Sequence, residues 1–96
     1  MNHLLADVAA FRDARGWSRY HTPRNLAEAL SVEAGELLRC FLWDGAFPSE
    51  PLFQDRVEEE LADVMIYALN LCLVLGVDPD DIIRRKMAKN AEKYPV

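Results

Sequence analysis

The sequence predicts an all-α fold of four helices that assembles as an oligomeric helical bundle, and three observations carry that expectation. No run of alternating Val, Ile and Thr bounded by Gly or Asn-Gly turns reads as a strand. Helix punctuation is frequent: Thr22-Pro23 and Asp78-Pro79 each pair a capping residue with a proline at the first helical position. The long stretch from Val64 to Val77 has Asn70 as its one strongly polar residue, so its apolar side chains surround the helix.

Each element follows from its local residues. The first helix is expected over Asn2–Arg15. The second starts at Pro23 behind the Thr22 cap and runs to Trp43, with Gly45 placed to close it. The third runs from about Leu52 to Leu75, where Gly76 suits the position just past a helix end. Pro79–Lys93 forms the fourth, opened by Asp78, Asp80 and Asp81, whose carboxylates complement the helix dipole. Ala46–Pro51, with two prolines, is the expected flexible link. No internal repeat or composition shift divides the 96 residues, so residues 1–96 read as a single domain.

Composition narrows the function classes. Eleven Lys and Arg against 16 Asp and Glu give a net charge of -5, which argues against a protein built to hold a polymeric nucleic acid and favours cations or basic partners. The apolar run of the third helix is shorter than the roughly 20 residues that span a bilayer, so no membrane role is expected. Met1 to Phe11 lacks a basic n-region and carries Asp7, so it does not read as a signal peptide, and a cytoplasmic protein is expected. Cys40 and Cys72 lie in apolar sequence and read as reduced core residues. At this length folding hides only about 60 to 65% of the unfolded surface, and the third helix cannot be covered on every side by three neighbours. A homodimer, or a tetramer as a dimer of dimers, is therefore expected.

Two carboxylate pairs stand where core residues are expected. Along the second helix the apolar stripe Leu26, Ala29/Leu30, Leu37 and Cys40/Phe41 is interrupted by Glu33, with Glu36 three residues on. Along the third, Glu60 and Asp63 share a face with Tyr67. Burying unpaired carboxylates costs several kcal/mol each unless something neutralises them, and hard oxygen donors without His or Cys point to Mg²⁺ or Mn²⁺. Either pair alone also reads as a solvated acidic face; two pairs on adjacent helices leave site and surface evenly matched. On the fourth helix Lys86, Asn90 and Lys93 form one stripe, suited to polyphosphate or simply to solubility.

The ordered motifs then become specific. His21-x-Pro23-Arg24-Asn25-Leu26, Val32-Glu33-Ala34-Gly35-Glu36-Leu37, Phe41-Leu42-Trp43, Glu59-Glu60-Leu61-Ala62-Asp63-Val64-x-x-Tyr67 and Lys86-Met87-x-x-Asn90-x-x-Lys93-Tyr94-Pro95 resemble the all-α nucleoside triphosphate pyrophosphohydrolases of the MazG-like superfamily. Within it the chain is most similar to the small dCTP pyrophosphatase branch. Val32 stands where the superfamily pattern begins with a further Glu, and Val8 where vertebrate members carry a histidine. The resemblance implies that Glu33, Glu36, Glu60 and Asp63 hold Mg²⁺ and form the catalytic set, Glu36 also orienting the attacking water. It implies that Lys86, Asn90 and Lys93 bind phosphate, and that Trp17, Trp43 and Tyr67, with His21 and Asn25, receive base and sugar. The implied reaction converts a nucleoside triphosphate, dCTP-like pyrimidine nucleotides first, to the monophosphate and pyrophosphate in nucleotide-pool clearance. The competing reading is a non-enzymatic acidic helical dimer acting as an adaptor.

Overall fold

The structure is a computed structural model that describes residues 2–42 and 51–96. Helix α1 spans Asn2–Ala14, a 3-10 turn covers Trp17–Tyr20, and helices α2, α3 and α4 span Pro23–Arg39, Pro51–Leu75 and Pro79–Lys93. The four-helix expectation holds, and no strand occurs among the described residues.

Local chemistry sets the ends. Gly16 closes α1 with φ 67°, a left-handed conformation that a side chain disfavours, and the chain then tightens into the 3-10 turn. Thr22 caps α2 as expected: its Oγ1 accepts the Asn25 N–H at 3.1 Å. Gly76, at φ 68°, ends α3 with Val77 N–H donating to the Cys72 carbonyl at 3.0 Å and Gly76 N–H to Leu73 at 3.3 Å. That double closure is a Schellman motif. Asp78 stands at the start of α4, yet its side chain makes no capping bond, leaving Asp80 and Asp81 to supply the first-turn charge.

One boundary is corrected. Helix α2 ends at Arg39, not at Trp43. The Phe41 N–H donates to Leu38 and the Leu42 N–H to Arg39, so the chain tightens to i→i−3 bonds before it leaves the helix. Trp43, Gly45 and the Ala46–Pro51 link, apart from the helical start at Pro51, lie outside the described residues.

Helices α2 and α3 form the main contact, an antiparallel pair, with α1 laid against α3. The register is fixed near one end, where Arg56 Nη2 donates to the Cys40 carbonyl at 3.2 Å and the Phe41 and Phe53 rings meet edge to face with centroids 5.6 Å apart. Leu26, Cys40, Leu69 and Cys72 make up the buried apolar core, and both cysteines are free thiols. Burial and the negative Asp78 push the Cys72 thiol above its ordinary pKa, consistent with an inert core residue.

The expectation that α3 is apolar all round has a visible consequence. One chain covers Leu69, Asn70 and Cys72 but leaves Leu61, Met65, Ile66 and Leu75 exposed, Met65 at 52%. Helix α4 departs from α3 at 100° and packs little on the other helices. The radius of gyration is 15.7 Å, against about 12.5 Å for a compact domain of this length. The accessible surface is 7508 Å², where a monomer of 10.9 kDa exposes about 5,600 Å². Among the described residues no single helix is long and apolar enough to cross a membrane.

Candidate active site

The antiparallel register brings the carboxylates together. Seven residues before Cys40 stands Glu33, and seven after its partner Arg56 stands Asp63, so two turns along each helix carry both to the same level. Oxygens of Glu33, Glu60 and Asp63 lie within 4.8 Å of one another. Glu33 and Glu60 are partly buried and Asp63 opens to solvent. Among the described residues none of the three has a Lys or Arg within ion-pair distance, since the ion pairs present join Arg12 to Asp13, Arg24 to Glu28 and Arg85 to Asp81.

Partial burial first, then the negative charges of Asp63, Glu60 and Glu36, raise the Glu33 pKa above its ordinary value. Three like charges held together without a basic partner among the described residues could hold a divalent cation, and carboxylate oxygens alone suit Mg²⁺ or Mn²⁺ better than zinc. Glu36 is exposed and stands outside this triad, although its charge reaches Glu33.

Beside the triad lies a cavity of about 500 Å³. Helix α1 contributes Val8, Phe11 and Arg12, the connection to α2 contributes Trp17 and His21, and α3 contributes Asp63, Ile66, Tyr67 and Asn70. A second cavity of about 390 Å³ shares Trp17, His21 and Tyr67 and adds Asn25, Leu26 and Ala29. Trp17 is held by an edge-to-face contact with Phe11, ring centroids 5.9 Å apart, while the Arg15 guanidinium covers Phe11 at 3.4 Å. His21 Nδ1 is buried with no hydrogen-bond partner among the described residues. Burial and the Arg12 charge lower its pKa, so the imidazole is neutral near pH 7.

The expected site residues separate into groups. Glu33, Glu60 and Asp63 converge, and Trp17, His21 and Tyr67 line both cavities next to Asp63. Asn25 borders the second cavity, but its Nδ2 donates to the Tyr20 carbonyl at 3.0 Å and so fastens the 3-10 turn to α2. Trp43 lies outside the described residues. Lys86, Asn90 and Lys93 are exposed on α4 and line neither cavity. Asn70, which sequence reasoning noted without giving it a role, is 5% exposed and borders the larger cavity. The signal was present: it is the lone strong polar residue of an apolar run, one further turn along the face of Asp63 and Tyr67.

Comparison with known proteins gives the family. A family model described as the MazG-like family matches residues 29–96. The dCTP pyrophosphatase 1 of Rattus norvegicus is 39% identical over 101 residues, covering 100% of this chain and 58% of its own length. The Homo sapiens dCTP pyrophosphatase 1 is 37% identical over 100 residues, covering 99% of this chain and 57% of its own. The chain thus spans somewhat over half the length of the curated relatives it matches. A crystal structure of a pyrophosphatase from Archaeoglobus fulgidus superimposes with a TM-score of 0.87 at 46% identity, over 100% of this chain and 93% of that one. With 68 of its 96 residues matched by the family model and relatives alike along its whole length, the chain belongs to the MazG-like family.

Proposed function

We propose that the protein, acting as a single domain over residues 1–96, is a cytoplasmic Mg²⁺-dependent nucleoside triphosphate pyrophosphohydrolase. It converts (deoxy)nucleoside triphosphates, dCTP-like pyrimidine nucleotides first, to the monophosphate and pyrophosphate, and so clears nucleotides from the pool. One observation carries the reading: Asp63 belongs both to the carboxylate triad and to the wall of the aromatic-lined cavity. A base held between Trp17 and Tyr67 would therefore place its phosphates beside Glu33, Glu60 and Asp63. The likeness to dCTP pyrophosphatases and to the Archaeoglobus fulgidus enzyme supports the same reaction class.

The chain's own groups divide the work. Glu33, Glu60 and Asp63 hold the cation, which when bound supplies charge screening at the phosphates. Glu36, at the edge of the triad, orients a water toward phosphorus and accepts its proton. Trp17, Tyr67 and Trp43 provide stacking faces, and His21 and Asn25 polar contacts to base or sugar. Lys86, Asn90 and Lys93 are assigned to phosphate from the resemblance and from charge complementarity. The exposed α3 face and the surplus of accessible surface support a homodimer or tetramer.

Product analysis tests the reaction. Incubation with dCTP and Mg²⁺ is expected to yield dCMP and pyrophosphate, with turnover per unit Michaelis constant higher for deoxypyrimidine than for purine triphosphates. Release of orthophosphate with dCDP, or no turnover and no Mg²⁺-dependent rise in melting temperature, would refute it.

A further inference from the structure

Asn70 is buried in a helix otherwise apolar around it, and its amide is only half satisfied. Its Nδ2 donates to the Ile66 carbonyl at 3.1 Å, one turn back along α3. Its Oδ1 is buried with no hydrogen-bond partner among the described residues, and the residue borders the larger cavity. The bond to Ile66 fixes which way the amide points, because the flipped amide would set two carbonyl oxygens against each other. The residue that borders the cavity thus carries an unpaired acceptor that cannot become a donor. A buried acceptor left unpaired costs on the order of a lost hydrogen bond, a cost that a ligand N–H would remove.

Its position says which N–H. Asp63, Tyr67 and Asn70 follow one face of α3 at i, i+4 and i+7, a rise of about 10 Å. Taking the cavity as a nucleoside site, on which this inference rests, the phosphate end lies at Asp63, the ring beside Tyr67 and the far edge of the base at Asn70. In a pyrimidine the atom across the ring from the glycosidic nitrogen is C4. Cytosine carries an amine there, whereas uracil and thymine carry a carbonyl oxygen. Neutral His21, whose Nδ1 is the other buried side-chain atom on this wall without a partner among the described residues, carries one N–H and one bare nitrogen and can serve as donor or acceptor, so it does not discriminate.

We infer that Asn70 is a specificity-determining residue whose Oδ1 accepts a hydrogen bond from the exocyclic amine of the base, selecting cytosine over uracil and thymine. An oxygen at that position meets the amide oxygen with no proton between them, and a site built to pair an N–H rejects an analogue that lacks it.

Titration calorimetry with nucleoside monophosphates tests this without any chemistry. In the wild-type protein dCMP is expected to bind at least about tenfold more tightly than dUMP or the 2-pyrimidinone deoxyribonucleotide, which lacks the amine. Asn70→Leu, similar in size, is expected to reduce dCMP to the level of dUMP. Asn70→Ala, which leaves neither acceptor nor charge, is expected to do the same and serves if the leucine variant does not fold. Equal affinity for dCMP and dUMP in the wild type, or a ratio unchanged in Asn70→Leu or in Asn70→Ala, would overturn the inference. Pyrophosphate release from dCTP is followed in parallel. Release with a flat dCMP to dUMP ratio defeats the role of Asn70 alone. An Asn70-dependent ratio without release supports that role and defeats the pyrophosphohydrolase reading.

Discussion

Replacing Glu33 by Gln separates stability from function. Two unit charges 4.8 Å apart, the outer separation within the triad, repel by about 0.9 kcal/mol in water and about 3.5 kcal/mol at the effective dielectric near a protein surface. Asp63 is exposed and Glu60 partly so, which places the interaction toward the lower figure, and salt lowers it further. Glu33→Gln removes the repulsion of Glu33 with both partners, so the metal-free protein should gain about 1 to 2 kcal/mol. For a domain of this size that is a rise of about 5 to 10 °C in melting temperature. The same substitution takes away a cation ligand, so the Mg²⁺-dependent rise should vanish and pyrophosphate release from dCTP should fall by about a hundredfold or more. Melting is measured with and without Mg²⁺ at one protein concentration, because assembly also shifts the midpoint. A lower metal-free melting temperature together with an intact Mg²⁺ response would refute the reasoning and make Glu33 a structural residue.

Because the folded protein holds the Glu33 proton more tightly than the unfolded chain does, its contribution to metal-free stability is present at low pH and lost as pH rises through the elevated folded value. Mg²⁺ must displace that proton, so its affinity should rise with pH over the same window, and calorimetry in buffers of different ionisation enthalpy should detect proton release. Thr22→Ala should cost about 1 kcal/mol by removing the acceptor of the Asn25 N–H, read as a lower melting temperature that Thr22→Ser largely restores. Light scattering should give a mass at a multiple of 10.9 kDa, and Met65→Asp should shift it toward the monomer; a wild-type monomer at micromolar concentration would refute assembly through α3.

What could be read from the sequence follows from what each signal encodes. Thr22 and Gly76 act through bonds to neighbours three to five residues away, so their roles are legible in a short window. Glu33 stands out because it interrupts an apolar stripe, Glu60 and Asp63 because they share a face with Tyr67 beside apolar sequence, and the register set at Cys40 and Arg56 then brings the three to one level. The 3-10 turn at Trp17–Tyr20 carried no such signal, since Asn25 fastens it from the following helix. Nor does spacing tell which member of an i, i+3 pair sits on the helix seam. Glu33 does, while Glu36, turned by about 60° around the same helix, stays exposed. The unpaired state of the Asn70 oxygen depends on how α1 and the Trp17–His21 segment frame the cavity, which is a property of packing rather than of pattern.

The fourth helix marks the boundary between a periodic signal and its use. Lys86, Asn90 and Lys93 form a stripe in any helix built from this sequence, because 3.6 residues per turn put them on one side. Where that side faces is decided elsewhere, by the left-handed Gly76 and the 100° turn that follows it. In the single chain the turn leads the stripe into solvent, away from the contacts that join α1, α2 and α3. A basic helix free of its own core and an acidic triad without a basic partner are complementary in charge, and a polyphosphate would join them. Assembly through the exposed face of α3 would change what surrounds both.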